Sequence, residues 1–213
     1  MNGTFFYIGL GLGLAVACGL RPFLPLLLAG ALGSAGALGV SFGTDSGSYH
    51  FLQADWWLLV VAVTFALAYA LQLLFGLAPT IDSSSGRTQR ADPLAASIAG
   101  LSAGAGALLF AGTLAAHGDA SWPGLIAGAA AAALAQYASG PVILRARRRL
   151  PDRAAREALT VYLDAASLLL AALVALLHPL GYVAVALLAW FIWRGRAHGG
   201  DDRHYAGLRI LRR

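Results

Sequence analysis

A chain of 213 residues that is 59% hydrophobic and 12% charged, with a mean hydropathy of +0.70, lies outside the soluble class and inside the membrane class. At about twenty residues per crossing there is room for six or seven helices and for no sizeable soluble domain. The net charge of +5 comes from arginine clustered in a few loops, which argues against nucleic acid as a partner, and a single cysteine excludes an internal disulfide or a thiolate metal cluster.

The N-terminus lacks the basic start and small-residue cleavage site of a secretory signal, so its apolar segment is expected to be a retained helix. That segment, residues 4–35, is interrupted by Cys18-Gly19-Leu20-Arg21-Pro22. It is longer than one crossing needs, and is therefore expected to be tilted, kinked or partly re-entrant. The loop that follows is rich in Gly and Ser. Its Tyr49-His50-Phe51 and Trp56-Trp57 read as an interfacial aromatic belt. A second span covers residues 55–77 and closes in the polar turn at residues 82–86. A third, residues 93–117, is crowded with Gly, Ala and Ser at helical spacing, which lets another helix approach closely.

The fourth span starts at Pro123 and reaches Gln136, Tyr137 and a second interruption, Ala138-Ser139-Gly140-Pro141, before turning basic at Arg145, Arg147, Arg148 and Arg149. The fifth opens at Arg156 and Glu157, carries Asp164 and ends at His178. The sixth runs from Pro179 to Trp193. Apart from Arg21, the arginines fall at 87–90, 145–156 and 194–213, and the loops between are free of them. This alternation predicts six spans with both termini cytoplasmic. It also divides the chain into a first three-helix half, residues 1–117, broken at 18–22; a second, residues 118–196, broken at 138–141; and a basic cytoplasmic tail, residues 197–213. Each half begins with an interrupted helix and opens its third with Pro-Leu, as a 3+3 inverted repeat would. The expected fold is an all-α integral membrane protein of about six transmembrane helices.

Broken helices that bring polar groups to membrane depth are how many transporters and channels build a site. Arg21 stands out, because a guanidinium at a helix centre costs about 2.5–3.5 kcal/mol on insertion scales and is normally paired or lining water. One reading gives it an anion or headgroup to bind, with Gly19 admitting backbone and Pro22 starting a half-helix with free amides. The other makes it a cap for carbonyls freed by the break. Asp164 is the obvious partner, although it lies only seven residues, about 10 Å of helix, beyond Glu157. Gln72, Gln136, Ser139 and Gly140 complete the candidate lining of a site between the two breaks. Arg145, Arg147, Arg148 and Arg149 could hold anionic lipid headgroups, or act only as topology signals. His50, His117, His178, Asp45, Asp55 and Asp119 have no ligand spacing, so no metal is expected. Gly9, Gly11 and Gly13 follow no strand and read as helix packing. No nucleophile has a base beside it, so neither a catalytic residue nor a cofactor is expected.

The run Cys18-Gly19-Leu20-Arg21-Pro22-Phe23-Leu24-Pro25-Leu26, with the turn Pro79 to Asp82 and the terminal Tyr205-Ala206-Gly207-Leu208-Arg209-Ile210-Leu211-Arg212, resembles the bacterial membrane family termed domain of unknown function 4126. The resemblance implies a small polytopic protein of the bacterial inner membrane and carries no activity. At positions where that family bears acidic and lysine residues this chain has Gln72, Gly76 and Leu77, while Asp164 stands near a late acidic position. The residues together predict a small transporter or channel for an anionic solute or lipid headgroup. The alternative is a non-catalytic scaffold or accessory subunit, self-associated or held in a larger membrane complex through its small-residue faces.

Overall fold

The computed structural model describes residues 3–43, 47–75, 93–150 and 152–198. Among them are seven α-helices and no strand: α1 (Thr4–Leu20), α2 (Phe23–Ser34), α3 (Asp55–Phe75), α4 (Pro93–Ala116), α5 (Trp122–Arg149), α6 (Arg153–Leu176) and α7 (Leu180–His198), with a 3-10 turn at His50–Gln53 before α3. Ser97–Ala116, Trp122–Ile143 and Ala158–Leu176 are long and apolar enough to cross a membrane, and the apolar stretches in α1, α2, α3 and α7 are shorter. This is an all-α protein whose helices fit membrane residence. The turn at residues 79–82, Asp45, the arginines at 87 and 90 and the tail from residue 199 lie outside the described residues.

Helix α1 is the axis of the packing, touching α4, α5, α6 and α7 as well as α2. It holds that position because it is thin where it meets neighbours. A Cβ on Gly181 of α7 would collide with the Gly9 carbonyl oxygen and lie 2.8 Å from the Gly13 nitrogen, and one on Gly19 would collide with the Ala132 carbonyl oxygen of α5. Backbone thus meets backbone, the close approach that small residues allow between apolar helices. Helices α4 and α5 pair through Gly106 and Gly128 in the same way.

These contacts fix directions. Tyr7 donates to the Asp119 carboxylate in the α4–α5 turn, Tyr182 donates to the Phe5 carbonyl at 2.9 Å, and Gly9 lies against the His178 carbonyl. Helix α1 therefore starts at the end of the molecule where α4 and α6 finish and α5 and α7 begin. Gly19 meets α5 at Ala132 and Ala135, ten residues or about 15 Å after Trp122 and ten before Arg145. So α1 stops near mid-depth. Helix α2 then returns: the loop beyond it sets Gly39 beside His178 and buries Phe42 against Gly112 near the finish of α4. The first segment is thus a helical hairpin that folds back on itself.

One expectation, the helix break at residues 138–141, is corrected, and the described ends of the chain are placed. Thr4 and His198 lie at opposite ends, since α7 runs alongside α1 from Gly181 at Gly9 to Leu188 at the cluster of Ala15, Val16, Ala131 and Ala135. Helix α5 runs unbroken through Pro141. Proline clashes with the preceding residue's Cβ and drives it from helical geometry. Arg21 before Pro22 is driven to extended backbone at φ −152°, ψ 122°, whereas Gly140 before Pro141 has no Cβ to clash. With α5 intact, the described residues hold one of the two expected interruptions, that at residues 18–22.

The loop between α2 and α3 is more than a belt. Val40, Phe42 and Leu52 are fully buried beneath it, and Phe51 packs edge-on against Trp57 at 5.1 Å. It forms a stopper over the ends of α2 and α4.

Candidate functional site

At the apex of the α1–α2 hairpin three residues do different work. Arg21 still donates its backbone N–H to the Ala17 carbonyl at 3.1 Å, closing α1, before its extended backbone turns the chain. Pro22 starts α2, where a missing N–H costs nothing because the first amides of a helix have no intrahelical acceptor. Cys18 is fully buried, with its thiol 4.0 Å from the Pro22 carbonyl oxygen.

The turn aims the Arg21 side chain at α6. Its Nε lies 3.2 Å from Asp164 Oδ1 in an ion pair, and the two side chains remain 20% and 12% exposed. Helix α6 runs antiparallel to α1, with Val174 at Gly13 and Asp164 at Arg21, so the pair meets where both helices are otherwise apolar. A guanidinium carries five N–H donors, more than one carboxylate can take up. The pair borders a small pocket lined by Arg21, Asp164, Phe23 of α2, and Phe65, Ala68 and Tyr69 of α3. Phe65 packs against Phe23 at 5.7 Å and Tyr69 at 5.9 Å between ring centres, so the wall opposite the ion pair is aromatic.

Of the residues singled out in the sequence, Arg21, Pro22 and Asp164 are brought together. Gly19 is near them but serves packing, its α-carbon pressed on α5. Gln136 donates to the Ala99 carbonyl at 3.4 Å, a tie between α5 and α4, and the Ser139 hydroxyl donates to the Gln136 carbonyl within α5. Gly140 faces open space, with nothing within 4 Å of a Cβ built on it. These three do not line the Arg21 pocket, so the site belongs to one break and not to two. The Gln72, Arg147 and Arg148 side chains lie outside the described residues; Arg145 and Arg149 are exposed near the end of α5. Phe23, Phe65, Ala68 and Tyr69 were not singled out. Their signal is the i, i+3, i+4 spacing of Phe65, Ala68 and Tyr69, which puts them on one face of α3.

At the opposite end, the Tyr7 ring stacks on His117 at 4.1 Å and 16°, while His117 Nδ1 sits 2.8 Å from the Thr113 carbonyl oxygen. His178, in the α6–α7 turn, faces Gly39, and burial pushes its imidazole below the usual value of 6.5. Among the described residues no three His, Cys, Asp or Glu side chains come together as a metal site. Comparison with protein-family models, curated proteins and solved structures finds no match to this chain.

Proposed function

We propose that this is a small multi-pass transporter or channel of the bacterial inner membrane, with α3 to α7 as five crossings and α1–α2 as a re-entrant hairpin. The arginine-bearing end, with Arg145 and Arg149, lies in the cytoplasm, as the positive-inside rule requires. The one observation that carries the reading is the Arg21–Asp164 pair at the apex of the hairpin, with donors left over and a pocket beside them. An ionisable pair at that depth is expensive to keep and marks a path for ions or polar solutes more often than a structural need. Arg21 would bind the anionic group of a solute or lipid, and the α2 amides add positive potential at the same place. Arg145 and its neighbours would hold anionic headgroups at the cytoplasmic face.

Efflux of benzenesulfonate from loaded proteoliposomes tests this. The wild type should release the anion, and Arg21→Ala should abolish release even at temperatures below its own lowered melting point. Equal flux through Arg21→Ala defeats the proposal.

A second reading, a non-transporting subunit of a larger complex or homo-oligomer, is favoured by Gly100, Gly104 and Gly140, where a Cβ would meet nothing within 4 Å. Under that reading bulky substitutions at these glycines release a co-purifying chain and leave no anion flux to lose.

A further inference from the structure

The two charged groups of the site occupy one another's binding positions. Arg21 Nε lies 3.2 Å from Asp164 Oδ1, and both side chains open on the same pocket. An oxyanion entering that pocket competes with Asp164 for the fork. If it succeeded while Asp164 stayed ionised, two negative groups would share one cation at mid-depth, and a buried carboxylate parted from its partner is strongly unfavourable. A proton on Asp164 removes that conflict. The neutral carboxyl then has an O–H to donate and no claim on the guanidinium.

Building on the anion-site reading above, we propose that the pocket takes an oxyanion only together with one proton, the oxyanion going to Arg21 and the proton passing from water to Asp164. Charge then balances in both states: paired and empty, or protonated and loaded. The protein is on this view a proton–anion symporter. Among the described residues, no other group beside the pocket offers the proton a competing site of the same kind. Tyr69 from α3 shares the pocket with the pair, and the Cys18 thiol, one turn before Arg21, is turned to the Pro22 carbonyl. Helix α2 has no titratable residue, Tyr7 of α1 is at the far end on Asp119, and the next charged residues of α6, Arg156 and Glu157, are eight and seven positions away.

The lining also sets a ligand class. With Phe23, Phe65 and Tyr69 opposite the charge, the oxyanion should ride on an apolar body: a carboxylate, sulfonate or phosphodiester with an aromatic or acyl part. Such a group occurs on free organic anions and on lipids alike.

Calorimetric titration of the purified full-length protein from pH 5 to 9, with three ligands of fixed charge, separates the cases: benzenesulfonate, inorganic sulfate and dihexanoyl phosphatidylglycerol. One proton per anion requires Kd to rise about tenfold per pH unit where Asp164 is ionised, with heat that depends on the buffer. Asp164→Asn should bind across the whole range with no slope, and Arg21→Ala should not bind. Tighter benzenesulfonate assigns the site to soluble anions, and tighter phosphatidylglycerol assigns it to headgroups. Sulfate binding as well as benzenesulfonate overturns the apolar-body class. Binding with no pH slope and no proton uptake overturns the coupling and leaves the anion site standing. Arg21→Ala binding like the wild type, or no ligand binding at all, overturns the anion site and the coupling with it.

Discussion

At the scale of single residues, Arg21 and Asp164 stabilise each other more than either stabilises the fold. Removing one partner of a buried pair leaves an uncompensated charge and typically costs about 3–5 kcal/mol, whereas replacing both with apolar groups of similar volume is often near neutral. The double variant Arg21→Met/Asp164→Leu should therefore melt closer to the wild type than Asp164→Leu does, a non-additivity that a thermal double-mutant cycle reads directly. Strictly additive losses would show that the two side chains do not depend on each other. This pair was legible in the sequence because charge inside long apolar segments is rare and needs a partner. The aromatic wall was not, since Phe65 and Tyr69 look like any lipid-facing residues until α3 is placed beside α2.

His178 makes a separate case at this scale. Its imidazole is held below 6.5 by burial, so between that value and its lowered folded-state value the unfolded chain binds more protons than the folded one. The sign follows: stability is full above pH 6.5 and declines as the pH falls through the folded-state value. Wild-type protein should lose melting temperature between pH 7 and 5 faster than His178→Gln, and parallel curves would remove His178 as the cause.

At the scale of elements, the boundaries of α3 to α7 were legible to within a few residues, because each is a long apolar run closed by Pro, Gly or arginine. The two prolines were not equally legible. Both follow polar or small residues in apolar segments, and the difference rests on the residue just before each. Arg21 has a Cβ and is forced to extended backbone, while Gly140 has none and stays helical. Pro141→Ala should thus restore one helical hydrogen bond and leave stability unchanged or raised by about 0.5–1.5 kcal/mol. Gly140→Val should disturb α5 despite the open space around it, and Gly140→Val combined with Pro141→Ala should recover most of that loss. Failure to recover would mean that Gly140 matters for some contact other than its proline.

At the scale of the whole molecule, one choice governs the rest: whether residues 4–35 cross the membrane or turn back. Charge alone could not decide it, because neither the N-terminus nor the loop after α2 carries an arginine, so both suit the same side as well as opposite sides. Packing decides it. Tyr7 on Asp119, Phe5 on Tyr182 at 4.6 Å and Gly39 beside His178 gather both ends of the hairpin at one end of the bundle. The arginines of α5 are left at the other. In a Cys18→Ser background, cysteines placed at Gly3 and at Ser48 should then both react with an impermeant thiol reagent from outside the cell, and one at Arg145 only from the cytoplasmic side of inverted vesicles. Native Cys18, fully buried at the apex, should resist from either side. If Gly3→Cys and Ser48→Cys react from opposite sides, the first segment crosses the membrane, Arg21 lies partway along a spanning helix, and the site loses the half-depth apex on which the proposal rests.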